Sequence, residues 1–140
     1  MKPGKIITDD PEIKYILENA KAVAVIGLSP KTTRDSNMVA AYLKKQGYRI
    51  IPVRPGQKEI LGEKAYKTLD DIEGPVDIVN VFRNPDQIVF HAYEALRLQP
   101  KIFWMQLNIE NKQAADLLTA GGIDVVMNRC IKVEHERLCT

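Results

Sequence analysis

The chain has 140 residues, 45% of them apolar and 27% charged, with a formal net charge of +2. That length supports one ordinary hydrophobic core and leaves no room for a substrate domain beside a nucleotide-binding one, and the composition is globular rather than disordered or fibrous. So small a charge gives no ground for a nucleic-acid partner, no apolar run reaches the ~18 to 20 residues that span a bilayer, and residues 1–11 lack the hydrophobic middle of a signal peptide.

In chain order, Asp10-Pro11-Glu12 reads as a helix start, with Asp10 as N-cap, Pro11 in the first turn, and Ile13, Ile16 and Leu17 on one face. This helix is expected to pack against a sheet edge, so that residues 1–20 form an N-terminal helical extension and 21–138 the core. Residues 22–26 contain no polar side chain, the pattern of a strand covered on both faces in a parallel sheet, and Gly27 ends the run. A polar, basic loop then leads into a helix over 38–46, with Val39, Tyr42 and Leu43 at helical spacing and Gly47 placed to stop it. Residues 49–53 read as a second strand. Pro52 has no N–H to donate, which predicts a free edge or a break near that strand's end. Strand, helix and strand in this order make a right-handed βαβ unit.

Residues 58–71 carry a turn at Gly62, a short strand at Ala65-Tyr66 and a brief helix over 69–72. Residues 76–82 form a strand, and Asn84-Pro85 starts a helix with Ile88, Val89, Ala92, Ala95 and Leu96 on its apolar face. Residues 101–105 form a buried strand, Asn111 caps a helix that closes at Gly121-Gly122, 123–127 form the last strand, and 131–138 a closing helix. There are no internal repeats. The alternation predicts a three-layer, Rossmann-like α/β fold, a doubly wound parallel sheet in a single domain. Its ligand then lies at the carboxyl ends of the strands, in the loops 27–37, 53–56, 82–85, 106–108 and 128–130.

A strand, a glycine turn and a helix N-terminus receive a phosphate through backbone N–H groups and the helix dipole. The G-x-G-x-x-G loop of dinucleotide dehydrogenases is missing: Leu28, Ser29 and Pro30 follow Gly27. Where an NAD site places an acidic residue for the ribose, this chain has Arg54, near Lys58. A cation there suits a ribose with an extra phosphate, which leaves NADP and coenzyme A.

The Gly27-Leu28-Ser29-Pro30-Lys31 loop with Arg34 and Asn37, then Gly47-Tyr48, Pro52-Val53-x-Pro55, Leu61-Gly62, Trp104-x-Gln106, and Asn128-Arg129-Cys130 with Glu134 to Arg137 resemble the small stand-alone CoA-binding proteins of archaea and bacteria. Those are similar to the N-terminal CoA-binding domain of the succinyl-CoA synthetase α subunit. The resemblance covers residues 21–138 and implies CoA or an acyl-CoA lying across the switch point of the sheet. It places Gly27, Leu28, Ser29, Pro30, Lys31, Thr32, Arg34 and Asn37 around the phosphates, and Val53, Arg54 and Pro55 at the adenosine end. Phe82, Arg83, Gln106 and Leu107 would line the pantetheine route, with Arg129 and Cys130 at its inner end. Many members have Asn at the position of Arg54, so contact of Arg54 with the 3'-phosphate is read from its chemistry alone.

Other readings compete. Lys31 and Arg34 could be solvated loop charges, Ser29 only a turn residue, Trp104 core, and His91 a structural or solvent-facing helix residue. His135 fits an ion-paired helix surface. Cys130, after Arg129 at a helix start, is the one reactive candidate, for a mixed disulfide with the CoA thiol. Cys130 and Cys139 have neither disulfide-framework nor metal-ligand spacing, and free thiols are expected in the cytoplasm, where such a chain would reside. No catalytic set emerges, so a CoA binder without a reaction of its own is the first expectation. An NADP-dependent reductase, for which no Tyr-x-x-x-Lys pair or proton donor presents itself, and a CoA-responsive interaction subunit of a ligase or acyltransferase are the alternatives.

Overall fold

The computed structural model describes residues 2–140. Seven strands and five α-helices follow one another as α1 (Asp10–Asn19), β1 (Ala22–Ile26), α2 (Asp35–Lys45), β2 (Arg49–Val53), β3 (Glu59–Ile60), β4 (Glu63–Lys64), β5 (Ile78–Val81), α3 (Ile88–Leu98), β6 (Ile102–Met105), α4 (Lys112–Ala120), β7 (Asp124–Val126) and α5 (Ile131–Cys139). Five strands form a parallel sheet in the order β2-β1-β5-β6-β7. The order reverses between β1 and β5, so the chain is doubly wound and the crevice of the switch point opens at the carboxyl ends of those two strands.

The pleat divides the core. Ala24, Ile26, Val79, Val81, Phe103 and Met105 face α3 and α4, whereas Val23, Val25, Ile78, Ile102 and Trp104 face α1, α2 and α5. Both faces are covered, which explains why these strands read as apolar runs, broken only by the buried Asn80 in β5. Trp104 is fully buried, and its Nε1 donates to the Arg129 carbonyl at 2.8 Å. That bond fixes the loop ahead of α5.

Several local expectations shift. Asp9, not Asp10, is the N-cap of α1, and it makes no side-chain cap bond. The helix lies beside α5 on one face of the sheet, not against its edge, with Ile13 and Leu17 in the shared core. The edge beyond β7 is instead taken by the N-terminal segment: Val125 N–H donates to the Lys5 carbonyl at 2.9 Å and Ile7 N–H to the Val125 carbonyl at 2.8 Å. Helix α2 begins three residues before the expected Met38. The stretch after β2 holds a small antiparallel hairpin, β3 and β4, turned by Leu61 and Gly62 at φ 55° and 75°.

Pro52 sits on the outermost strand of the parallel sheet, as its missing donor requires. Its carbonyl accepts from Tyr66 N–H at 2.9 Å, and Arg54 N–H donates to the Tyr66 carbonyl at 2.8 Å. This single bridge at Tyr66 replaces the expected strand at 65–66, and it carries Lys67 and Thr68 to the carboxyl end of β2.

Candidate functional site

Gly27 leaves β1 at φ 80°, a conformation side chains rarely adopt, and a Cβ on it would fall 2.2 Å from the Phe82 carbonyl oxygen. The absence of a side chain lets the chain after β1 pass directly against the chain after β5. This is the switch point itself.

The loop beyond Gly27 is built by its own polar groups. Ser29 N–H donates to Ser36 Oγ at 2.9 Å, Lys31 N–H to Ser29 Oγ at 3.1 Å, and Asn37 Nδ2 to the Ser29 carbonyl at 2.8 Å. Ser29, Ser36 and Asn37 are all buried, so the loop is rigidly tied to the first turn of α2. Arg34, at the N-cap, makes no side-chain cap bond. The first-turn N–H groups therefore lack the usual side-chain acceptor and suit an anion, although Asp35 brings one negative charge to the same turn.

Above this loop lies an open cleft of about 780 Å³, lined by Gly27, Ser29, Pro30, Lys31, Thr33 and Arg34, and closed on the far side by Arg54 and Phe82. A second cavity, of about 580 Å³, adjoins it between β2, β5 and α3, and shares Gly27, Arg54 and Phe82. Val53, Pro55 and Arg83 line that cavity together with Lys67, Thr68, Gln87, Phe90, His91 and Glu94. Arg83 Nη2 reaches Gln87 Oε1 at 3.4 Å. A third hollow, of about 470 Å³, lies at the ends of β6 and β7 and is lined by Leu107, Arg129 and Cys130.

All but one of the expected site residues fall into three groups. Gly27, Ser29, Pro30, Lys31, Arg34, Val53, Arg54, Pro55, Phe82 and Arg83 are brought together around the first two hollows. Leu107, Arg129 and Cys130 stand apart at the third, where Arg129 donates to the Thr8 carbonyl at 2.9 Å and pairs with Glu134 at 3.6 Å. Leu28, Asn37 and Gln106 face inward: Leu28 is fully buried, and Gln106 Oε1 accepts from Asn80 Nδ2 at 3.0 Å and from Ile131 N–H at 2.9 Å. Thr32 is exposed and borders none of these hollows; its neighbour Thr33 lines the cleft.

Of the wall formed by Lys67, Thr68, Gln87, His91 and Glu94, the sequence singles out His91 alone, and as a structural or solvent-facing residue rather than a site residue. One signal was available, since His91 and Glu94 are three residues apart and share a helix face. The structure buries both, with His91 Nδ1 and Glu94 Oε1 2.6 Å apart. His135 is likewise buried, not part of an ion-paired surface: its Nδ1 meets Tyr42 Oη at 2.7 Å. Both cysteines are free thiols. Among the described residues no cluster of His, Cys, Asp or Glu is arranged to hold a metal, and no helix is long and apolar enough to cross a membrane.

Comparison with known proteins agrees with this fold. The family model described as a CoA binding domain matches residues 21–136. The Bacillus subtilis protein YneT is 45% identical over 124 residues, covering 89% of this chain and 92% of its own. A solved protein of Pyrococcus horikoshii superposes with a TM-score of 0.92 at 36% identity, over 95% of this chain and 94% of that one. An ADP-forming acetate–CoA ligase of Methanocaldococcus jannaschii is 36% identical over 69 residues, which are 49% of this chain and 10% of the ligase.

Proposed function

This chain belongs to the CoA-binding domain family, and from that premise we propose that it binds coenzyme A or an acyl-CoA at the carboxyl ends of β1, β2 and β5, in the cytoplasm and without a reaction of its own. The diphosphate rests on the loop from Gly27 to Arg34 and the uncapped start of α2, and the adenosine end lies by Val53, Arg54 and Pro55. The pantetheine arm passes Phe82 and Arg83 toward Leu107, Arg129 and Cys130. In this reading Leu28, Asn37 and Gln106 shape the loops without touching the ligand.

One observation carries the proposal. Arg54, at the end of the second strand, lines both the phosphate-loop cleft and the adjoining cavity. A cation between a diphosphate cradle and a nucleoside-sized hollow suits a ribose 3'-phosphate, the group that sets CoA apart from NAD. Calorimetric titration with CoA and with NADPH tests the reading. Saturable CoA binding is expected, and tight binding of NADPH with none of CoA would overturn it.

The partial likeness to a ligase supports a second reading, in which the CoA-loaded chain docks on a separate ligase or acyltransferase. Recovery of the same partner with and without CoA would count against it.

A further inference from the structure

The cavity between β2, β5 and α3 holds a pair that phosphate binding does not use. His91 and Glu94 occupy one face of α3, each more than nine-tenths buried, and both line the cavity. Glu94 is anchored at both oxygens: Oε2 accepts from Leu69 N–H at 3.2 Å, and Oε1 lies 2.6 Å from His91 Nδ1. With Nδ1 donating to the Glu94 carboxylate, the tautomer that this geometry accommodates, Nε2 of the neutral ring is a bare acceptor. That Nε2 is buried and has no partner among the described residues. Buried polar atoms of this kind are rare, Asn80 Oδ1 being the other among the described residues, and one at a cavity wall is explained by an occupant of the cavity.

The rest of the wall indicates which occupant. Ile26, Val53, Pro55, Phe82 and Phe90 supply flat apolar surface, while Arg54, Lys67 and Arg83 supply positive charge. A planar base fits the former, and phosphate attached through its ribose fits the latter. The cationic groups, together with Thr68 and Gln87, all offer donors. The acceptor at Nε2 complements a different feature, an amino group on the base. Because Nε2 is itself buried, reaching it takes a local shift of the cavity wall. Phe90, in the same wall, is 62% exposed and stands edge-on to the His91 ring at 5.4 Å between centroids.

We infer that His91, oriented by Glu94, is a base-reading residue that accepts a hydrogen bond from the 6-amino group of an adenine ring seated in this cavity. The inference rests on the CoA reading for the whole ligand, but its own content is confined to the base. It makes His91 a specificity-determining residue and Glu94 a positioning one.

The test uses adenosine 3',5'-bisphosphate and the analogue with hydrogen in place of the 6-amino group, titrated into the wild-type chain, His91→Phe and Glu94→Gln, with CoA titrated in parallel. The wild-type chain is expected to prefer the amino-bearing ligand by about tenfold, the size of one net hydrogen bond in a buried site. His91→Phe should bind the two bisphosphates equally, and Glu94→Gln should show an intermediate ratio. Because the readout is a ratio of two ligands on one protein, a general loss of stability in a variant leaves it unmoved. Should the wild-type chain bind CoA yet bind both bisphosphates alike, the base-reading role is overturned and the CoA reading stands. Discrimination that depends on His91 without CoA binding would overturn the CoA reading and keep this one. Neither behaviour would overturn both.

Discussion

At the scale of single residues, the site depends on Gly27 and Arg54 for opposite reasons, one for what it lacks and one for what it carries. Gly27 combines a left-handed φ with a backbone approach that no Cβ can enter, since the obstacle is the Phe82 carbonyl and not a side chain able to move aside. Gly27→Ala is therefore expected to lower folding stability by at least about 2 kcal/mol, from backbone strain and displacement of the chain after β5. Urea unfolding reads this directly, and an unchanged midpoint would mean that the two segments separate at little cost. Arg54 is partly exposed and contributes mainly charge. Arg54→Ala should weaken CoA about tenfold more than dephospho-CoA, because only the former carries the 3'-phosphate. Equal losses by calorimetry would remove Arg54 from that role.

At the scale of elements, stability follows from how each helix is tied at its ends. Asn111 accepts from Ala114 N–H at 2.9 Å as the N-cap of α4, and its Nδ2 donates to the Pro85 carbonyl at 3.0 Å. One side chain thus caps a helix and holds the loop after β5. Asn111→Ala should cost about 1 kcal/mol or slightly more, seen as a lower denaturant midpoint with an unchanged slope. This cap was legible in the sequence, as were all five long strands, because apolar runs and a cap residue three places ahead of its partner are local signals. The β3–β4 hairpin was not legible. Its strands are two residues long, too short to show the alternation by which a strand is read, and only the Leu61-Gly62 turn hinted at it. Its consequence for the site, the delivery of Lys67 and Thr68 to the end of β2, depends on a Tyr66–Val53 bridge that is set by tertiary packing. His135 was misread for a related reason. The charged neighbours Glu134, Glu136 and Arg137 suggest a surface helix, yet Arg137 turns outward to Asp10 at 2.8 Å while His135 turns in toward Tyr42 and Tyr48.

For the whole molecule, the inward turn of His135 and a half-buried tie at the amino ends of the strands make stability depend on pH. Burial pushes His135 below its usual 6.5, outweighing Glu136, which raises it. As pH falls, the unfolded chain therefore takes up that proton first, and stability declines as pH drops below about 6.5. Asp77 adds a second, lower step. Burial pushes its carboxyl up, but the N–H groups of Ala22 and Lys21, at 2.9 and 2.8 Å, together with Lys101, outweigh burial and leave it below its usual 3.8. Its contribution is present above that value and is lost as pH falls through the folded pKa. Tyr48, pushed up to about 12 mainly by burial, stays protonated through both windows and keeps its hydrogen bond to the Leu17 carbonyl. The two steps are separable by mutation. In urea unfolding between about pH 7.5 and pH 3, His135→Gln should flatten the upper part of the decline and leave the lower part, whereas Asp77→Asn should leave the upper part and lessen the lower, to which Asp10 and Asp70, paired with Arg137 and Arg97, also contribute. A wild-type chain equally stable at about pH 7.5 and 5 would show that the imidazole takes up its proton without leaving the α2–α5 contact. On the proposed reading, CoA should shift the whole curve upward, because the cleft is assembled from loops that meet only in the folded sheet. At a hundredfold excess over Kd the gain is about 2.7 kcal/mol, and no displacement of the unfolding midpoint at saturating CoA would mean that the loops after β1, β2 and β5 do not hold it.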